Sequence, residues 1–358
     1  MIDGPIWHLE ASAARMAIDV ADRVSGGQMS PESPADPAFT RRGFIGLGAG
    51  ALITLVAGGT FRTVLLERLR WGEDFFPGTP PKVVVEPQAW TTNDDSITFV
   101  VLGDNGSGGR NQMDVARQMA LTYQESPYGL VLLAGDISYY GSINDRWEEV
   151  FAEPYKPLID AGVEWELAIG NHEISENKSD DAVEEIQAQM RQFGKPGTYY
   201  VASHGPMDVF VLDSTIPLST GQGGPEQLAW LEQELAASTA RWKVAMVHQP
   251  GYSSGKHGSS IEVRDALQPL FVRYGVDVVF TGHDHHYERT FPQDGVVWIV
   301  SGAGAKLTRV DGADFTAHAE STLQFMLVRI EGDAMNIQAV TVDGSTIDEV
   351  DLAARSAG

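Results

Sequence analysis

The chain has 358 residues, of which 43% are hydrophobic and 21% are charged, and this composition indicates a globular protein long enough for one large domain or two ordinary ones. Its formal net charge of −24 argues against a nucleic-acid partner, because nucleic acids attract clusters of lysine and arginine. It contains no cysteine, which excludes disulfides, iron–sulfur clusters, thiolate zinc sites and cysteine nucleophiles.

Residues 1–61 are predicted to form a leader that directs export. Residues 1–40 are polar and irregular, and the motif Thr40-Arg41-Arg42-Gly43 then precedes an apolar run that extends to Phe61. Paired arginines before a glycine-rich apolar run are typical of a twin-arginine export signal. A membrane tether is the alternative, because the apolar run is near the minimum length for a spanning helix and no A-x-A cleavage motif follows it.

The leader predicts an exported bacterial protein, periplasmic or extracellular, that engages the export machinery or stays tethered to the membrane by its amino-terminal segment. Met16 and Met29 are both candidate start sites, because the stretch before the arginines is long. Residues 62–94 contain several arginines and prolines and are predicted to be a linker. The globular domain is predicted to occupy residues 95–358.

In that domain, apolar strand-like runs alternate with helix-like segments. The predicted strands are 97–102, 129–134, 164–169, 198–202, 207–213, 242–247, 276–280, 296–300, 323–330, 334–342 and 347–352. The predicted helices are 111–125, 143–155, 181–193, 225–237 and 261–274. Because an α/β pattern is followed by strands alone, we predict an α/β fold: a four-layer αββα sandwich of two mixed β-sheets flanked by helices.

Five of the predicted strands end in a motif with side chains that bind metals. The motifs are Gly103-Asp104-Asn105-Gly106, Gly135-Asp136-Ile137-Ser138-Tyr139, Gly170-Asn171-His172-Glu173, His248-Gln249-Pro250 and Thr281-Gly282-His283-Asp284-His285-His286-Tyr287-Glu288-Arg289. A single Gly-Asp pair is a common turn, but open α/β sheets place their ligand sites at the carboxyl ends of strands. His283 and His285 are one residue apart, so on an extended backbone they point to the same side. The set predicts a metal site.

Together the motifs resemble the binuclear metallophosphoesterases and, among them, the purple acid phosphatases. Most metallophosphoesterases have a histidine two residues after the first aspartate, where this chain has Gly106. Tyr139, three residues after Asp136, can replace the missing ligand, and a phenolate is a hard, anionic donor that favours Fe(III). The resemblance extends from Ile97 to Leu307 and implies a hydrolase of the acid phosphatase type.

The resemblance also implies the ligands of two metals. The implied Fe(III) ligands are Asp104, Tyr139 and His285, with Asp136 bridging to the second metal. The implied ligands of that second, divalent metal (Fe, Zn or Mn) are Asn171, His248 and His283. The reaction implied is hydrolysis of a small phosphate monoester by attack of a metal-bound hydroxide, since two metals clamp both oxygens of a phosphoryl transfer.

Three further residues have catalytic roles by the same resemblance. His172 is expected to hydrogen-bond the phosphate oxygens or to protonate the leaving alkoxide. Glu173 is expected to orient the imidazole of His172, as carboxylates often do. His257, in a serine- and glycine-rich loop, resembles a histidine that contacts the substrate.

The remaining charged residues of the last motif are predicted to support the site. Asp284 is expected to hydrogen-bond near the metal ligands, and His286 is expected to lie on an exposed rim. Glu288 and Arg289 are predicted to form an ion pair beneath the site.

Two other functions remain open at this point. A phosphodiesterase would use the same metal ligands, so the motifs do not separate it from a monoesterase. The other alternative is a membrane-tethered module that binds phosphate or metal without catalysis. A nucleotide-binding phosphate loop is unsupported, because the sequence has no G-x-x-x-x-G-K-[ST] motif.

Overall fold

A computed structural model describes residues 83, 85, 93–139, 143–174 and 180–355 of the chain. The leader and most of the predicted linker lie outside these residues, so the predictions about export, the membrane tether, the start site and the domain boundaries stay predictions. Within the described residues, no helix is both long enough and apolar enough to cross a membrane.

The first sheet joins parallel and antiparallel strands. Its strands are β1 (Ser96–Leu102), β2 (Leu130–Ala134), β3 (Glu164–Ala168), β11 (Gln324–Glu331), β12 (Ala334–Thr341) and β13 (Thr346–Ala353). Their order across the sheet is β13-β12-β11-β1-β2-β3. β1 pairs in parallel with β2, and β2 with β3, whereas β11 pairs antiparallel with β1. The carboxyl ends of β1, β2 and β3 therefore meet at one edge.

The second sheet is also mixed. Its strands are β4 (Tyr200–His204), β5 (Met207–Leu212), β6 (Trp242–Val247), β7 (Val278–Thr281), β8 (Tyr287–Thr290), β9 (Val297–Ser301) and β10 (Thr316–Glu320). Their order is β10-β8-β9-β7-β6-β5-β4. β5, β6, β7 and β9 run parallel to one another, and β4, β8 and β10 pair antiparallel with their neighbours.

Helices cover the sheets. They are α1 (Arg110–Glu125), α2 (Ile143–Trp147), α3 (Glu153–Asp160), α4 (Asp180–Gln192), α5 (Thr215–Thr220), α6 (Gly224–Ala237) and α7 (Ile261–Tyr274), with a π-helical turn, Glu148–Ala152, between α2 and α3. α1 packs against β11 of the first sheet, and α6 packs against α7. The result confirms the predicted α/β sandwich of two mixed sheets with helices outside.

Side-chain alternation along the strands explains how the layers pack. In β5, Val209 and Val211 belong to the core that includes both sheets, whereas Phe210 and Leu212 belong to a second core shared with α6 and α7. Successive strand residues point to opposite faces of the sheet, and each face packs against another layer, so both sets are buried. Phe99 of β1 and Phe280 of β7 meet edge to face between the sheets, with ring centroids 6.4 Å apart.

Several elements differ from the sequence-based prediction. The predicted helix 143–155 is interrupted by the π-helical turn, and the predicted strand 198–202 begins at Tyr200. The elements α5, β8 and β10 were not predicted. β8 contains Glu288 and Arg289, so its sequence lacks the apolar alternation of a strand, and contacts with distant residues stabilise it there.

Ionic contacts join the two sheets at both edges. Asp348 of β13 accepts two hydrogen bonds from Arg289 of β8, at 2.6 and 3.1 Å. At the opposite edge, the carboxylate of Glu166 in β3 lies 2.7 Å from the Lys195 ammonium and 3.1 Å from His204 Nε2 in β4. These pairs are largely buried, so they fix the position of one sheet relative to the other.

Candidate metal centre

The predicted ligands lie where strand ends from both sheets meet. Asp104 follows β1, Asp136 follows β2, and His283 follows β7, and all three have a positive φ, of 57°, 53° and 71°. Such a backbone conformation is uncommon for a residue with a side chain and is concentrated at functional sites. It turns each chain sharply at the end of its strand, so the three side chains enter one space.

Two glycines allow the backbone to pass directly against the carboxylates. A Cβ atom on Gly170 would lie 2.2 Å from Asp136 Oδ1, and one on Gly282 would lie 2.4 Å from Asp104 Oδ2. Any larger residue would displace a carboxylate at these positions. The glycine that precedes Asn171 and the glycine that precedes His283 are therefore required by close approach.

Asp104, Tyr139 and His285 form one group of donors. The Tyr139 hydroxyl donates to Asp104 Oδ1 at 3.0 Å and lies 3.2 Å from His285 Nε2. His285 Nε2 is itself 3.3 Å from Asp104 Oδ1. Asp104 and Tyr139 are fully buried, and His285 is partly exposed. One carboxylate, one phenol and one imidazole thus converge on a single point.

Asn171, His248 and His283 form a second group. Asn171 Oδ1 is 2.8 Å from His283 Nδ1 and 3.1 Å from His248 Nε2. The other nitrogen of His248, Nδ1, lies 2.8 Å from the Ala134 carbonyl oxygen, which fixes the ring orientation. An amide oxygen and two imidazole nitrogens therefore face each other.

Asp136 lies between the two groups. Its Oδ1 is 3.4 Å from His248 Nε2, and one ligand atom from each of Asp104, Asp136 and His248 lies within 4.8 Å of the others. The structure thus brings together all of the residues predicted as metal ligands, although they come from five separate strand ends. Asp136 could therefore donate carboxylate oxygens towards either group.

The electrostatics of this cluster favour a bound cation. Burial raises the pKa of Asp136 to about 6, and the charge of Asp104 adds to this shift. Burial and the neighbouring His248 lower the pKa of His283 to about 4, which keeps that imidazole neutral. Buried charges in proteins are paired or coordinate metals, and neutral imidazole is the form that binds a metal. The donors fit one or two hard or borderline cations.

His172 lies at the open side of the centre. Its side chain is 41% exposed, its backbone N–H donates to Asp136 Oδ1 at 2.9 Å, and its ring centroid is 4.5 Å from that of Tyr139. Burial, together with the charge of Lys306, lowers the pKa of His172. This imidazole is therefore next to the ligands and accessible to a molecule that enters from solvent.

Glu173 has contacts that differ from the expected one. Its carboxylate accepts hydrogen bonds from the backbone N–H groups of Gly170, Ser138 and Asp136, at 2.6, 2.9 and 3.0 Å. It thereby joins the loop that carries Asn171 to the loop that carries Asp136. We assign it this structural role, and the orientation of the His172 imidazole by Glu173 stays a prediction.

His257 is exposed and lies beside the second group, with its ring centroid 4.5 Å from that of His283. Its backbone N–H donates to Asp284 Oδ1 at 2.8 Å. Asp284 thus makes the kind of hydrogen bond that was expected of it, but to the loop rather than to a ligand. His257 reaches the centre from the second sheet, whereas His172 reaches it from the first.

Two predictions about the last motif are wrong. His286 is not on an exposed rim but is fully buried, and its Nε2 lies 3.1 Å from Glu288. Glu288 and Arg289 do not pair with each other, because Arg289 binds Asp348 and Glu288 binds His286 and the loop at Ser254. Consecutive residues of an extended segment point in opposite directions, so a pair of neighbours seldom meets.

Sequence reasoning missed Lys306. Its ammonium nitrogen is 3.4 Å from the centroid of the Tyr139 ring, at the end of the loop that contains Ser301-Gly302-Ala303-Gly304. The signal available in the sequence was a lysine directly after that loop in a strongly acidic chain. The Lys306 side chain places a positive charge beside the first group of donors.

Comparison with known proteins agrees with this geometry. The family model described as calcineurin-like phosphoesterase matches residues 97–287, which is more than half of the chain. The rat tartrate-resistant acid phosphatase type 5 is 26% identical over 240 residues, covering 58% of this chain and 72% of the rat protein. Purple acid phosphatase 17 of Arabidopsis thaliana is 26% identical over 245 residues, covering 61% of this chain and 71% of that protein.

Among solved structures, the chain is similar in fold to the purple acid phosphatase from yellow lupin (Lupinus luteus) seeds. The TM-score is 0.63 at 20% identity, and the match covers 73% of this chain and 54% of the lupin chain. The family match and the relatives confirm the resemblance to purple acid phosphatases within the metallophosphoesterases. The chain belongs to the calcineurin-like phosphoesterase family and is a hydrolase of the acid phosphatase type.

Proposed function

We propose that the chain hydrolyses phosphate monoesters at a binuclear centre that holds Fe(III) and a second divalent metal (Fe, Zn or Mn). The observation that supports this most directly is the position of Tyr139, whose hydroxyl is 3.0 Å from Asp104 Oδ1 and 3.2 Å from His285 Nε2. A phenolate at that point adds negative charge and a hard donor, both of which favour Fe(III) over divalent ions.

The donor groups divide between the two metals. Asp104, Tyr139 and His285 would hold Fe(III), and Asp136 would bridge. Asn171, His248 and His283 would hold the divalent ion. When bound, the metals lower the pKa of water towards neutrality and offset the charge on the phosphoryl oxygens.

The chain itself supplies groups that bind and protonate the substrate. His172 is exposed above Tyr139 and has a lowered pKa, so at neutral pH it is a neutral hydrogen-bond donor, and under acidic conditions it carries a proton that the leaving alkoxide can take. His257 faces the same opening beside His283. Lys306 adds a fixed positive charge, which matters because the net charge of −24 repels phosphate at long range.

The test of the metal assignment is spectroscopic. Holoprotein purified from its native host is expected to contain iron and one other metal, and to show a visible charge-transfer band from tyrosinate to iron. Tyr139→Phe is the matched variant, since it removes only the hydroxyl, and it is expected to abolish the band. Iron-containing protein with Tyr139 intact and no such band would contradict the proposal.

The phosphodiesterase and noncatalytic alternatives are tested by activity. A phosphomonoesterase is expected to turn over para-nitrophenyl phosphate faster than bis(para-nitrophenyl) phosphate, and the reverse preference would favour a diesterase. If His172→Ala and Asp136→Ala left the turnover of both compounds unchanged, the chain would be a binding module instead.

We also propose that the protein is exported through the twin-arginine pathway. The support is the motif Thr40-Arg41-Arg42-Gly43 before an apolar run, together with the advantage of loading metals before translocation, since that pathway carries folded proteins. Replacement of both Arg41 and Arg42 by Lys is expected to retain the protein in the cytoplasm. Normal export of that variant, measured by cell fractionation, would contradict the proposal.

A further inference from the structure

Asp284 is a fully buried carboxylate that lies in sequence between two proposed metal ligands but does not face the metals. It accepts three hydrogen bonds from a single loop, residues 253–258. The donors are Ser253 Oγ at 2.5 Å, His257 N at 2.8 Å and Gly258 N at 3.1 Å. Hydrogen bonds to an ionised acceptor are the strong class, and this carboxylate receives three of them.

The rest of the loop is held from the same side. Glu288, also fully buried, accepts from Ser254 N and Ser254 Oγ, each at 2.7 Å. Gly255 passes so close that a Cβ atom there would lie 2.2 Å from the His286 ring and 2.9 Å from the Asp284 carboxyl carbon. The loop is therefore pressed against a wall formed by Asp284, His286 and Glu288.

The loop carries His257 to the edge of the proposed metal centre. Its imidazole is exposed, yet its centroid is only 4.5 Å from that of His283. The neighbouring residue, Lys256, is also exposed, and glycines flank the pair. A short loop of serines and glycines has no apolar anchor of its own, so its position depends on the hydrogen bonds to the wall and on its contacts with Val310 and Gly312.

We propose that Asp284 is a positioning residue that holds His257 in reach of a phosphoryl group at the metal centre. One segment then serves both requirements of the reaction: His283 and His285 face the metals, and Asp284 between them fixes the loop that faces the substrate. The catalytic consequence rests on the proposed function, whereas the effect on the loop does not.

The experiment compares wild-type protein with Asp284→Asn, which keeps the size of the side chain but removes the charge and one acceptor. Limited trypsin digestion followed by mass spectrometry reports cleavage after Lys256, and Lys256→Gln assigns that cleavage. We expect Asp284→Asn to be cleaved there at least about fivefold faster, because a loop that opens locally is cut in proportion to its open population. The metal content is expected to stay unchanged.

The kinetic arm uses His257→Ala and the double variant with Asp284→Asn. Loss of positioning is expected to lower kcat/KM for para-nitrophenyl phosphate about tenfold in Asp284→Asn, and the double variant is expected to be no slower than His257→Ala alone. Additive losses would overturn the proposal, because they would mean that Asp284 acts other than through His257.

Asp348→Asn is the matched control, since it removes another largely buried carboxylate that binds Arg289 and not the loop. It is expected to leave cleavage after Lys256 unchanged. If Asp284→Asn does not fold, Ser253→Ala removes one of the three donors and is expected to raise cleavage by a smaller factor. Unchanged cleavage in both would overturn the proposal. A wild-type protein without phosphatase activity would defeat the proposed function, and the cleavage rates would still decide the role of Asp284.

Discussion

Residues 283–289 present two faces with opposite properties. The odd-numbered residues point towards the first sheet, where His283 and His285 meet Asp104 and Asn171, and Arg289 binds Asp348. The even-numbered residues point towards the loop 253–258, which Asp284 and Glu288 hold by hydrogen bonds and against which the His286 ring packs. We call these the metal face and the loop face.

The two faces differ in what offsets the cost of burying a carboxylate. Beside the metal face, burial and the charge of Asp104 raise the pKa of Asp136 to about 6. On the loop face, burial again acts to raise the pKa of Glu288, but hydrogen bonds from His286, Ser254 and Thr316 outweigh it and lower the pKa. On the loop face, protein donors therefore offset the charge of the buried carboxylate. His286 Nδ1 is the exception there, because it has no hydrogen-bond partner among the described residues.

This contrast separates a structural cluster from a site that requires a ligand. A buried carboxylate with several donors is stable as it stands, whereas buried carboxylates placed side by side are costly unless a cation joins them. Asp284 and Glu288, the two carboxylates of the segment, are of the first type, whereas Asp104 and Asp136, which lie beside the metal face, are of the second. Sequence proximity to a metal ligand therefore says little about function here, and the direction of the side chain decides it.

The largest expected effect comes from removing Asp136, the carboxylate that lies beside the metal face and between the two groups of donors. Asp136→Ala is expected to lower kcat for para-nitrophenyl phosphate by about 10³-fold or more, because both of the proposed metals would lose a ligand and the charge that offsets them. Metal analysis of the purified variant is expected to show less than the wild-type amount of both metals. A variant that keeps both metals and most of its activity would remove the basis for the contrast between the faces.

The next effect concerns a group beside the metal face that is not a ligand. His172→Ala is expected to lower kcat by about 10²-fold, the usual contribution of a general acid, while both metals are retained. Steady-state kinetics and metal analysis of the same preparation measure the two quantities. Loss of metal in this variant would instead mean that the His172 ring supports the ligands, for example through its contact with the Tyr139 ring.

The sequence correctly placed the predicted ligands close together because its signals are local. Each ligand follows an apolar strand, and the spacing of His283 and His285 places them on one side. The loop face was predicted poorly, since Glu288 binds Ser254 and Thr316, which lie far from it in the chain. The same limit applies to Glu173, two of whose three backbone partners lie 37 and 35 residues away in the chain, and to β8, whose charged sequence is stabilised from outside.

Replacement of Asp348 tests how much its contact with Arg289, a residue of the metal face, stabilises the protein. Hydrogen bonds with Arg289 and Tyr287, which outweigh the opposing effect of burial, lower the pKa of Asp348. Asp348→Asn is therefore expected to reduce the free energy of unfolding by about 2 kcal/mol at pH 7. The stabilisation is present above the unfolded-state pKa and is lost as the pH falls through the lower folded-state pKa.

Urea unfolding of metal-free protein at pH 7 and at pH 3 measures this difference between wild type and Asp348→Asn. The two proteins are expected to differ less at pH 3, because Asp348 begins to be protonated there in the unfolded state. A difference that is equal at both pH values would show that the charge of Asp348 is not what stabilises the contact between β8 and β13.

The smallest expected effect concerns the positive charge that the chain itself places beside the metal face. Lys306 lies 3.4 Å from the Tyr139 ring centroid, so Lys306→Gln is expected to raise KM for para-nitrophenyl phosphate about threefold with little change in kcat. The energy of the tyrosinate-to-iron band is expected to shift as well, since a cation over the ring stabilises its electrons. Lys156→Gln, on an exposed ion pair with Asp160, is the matched control and is expected to change neither quantity. If KM and the band were unaffected in Lys306→Gln, the protein would rely on the metals alone to attract its anionic substrate.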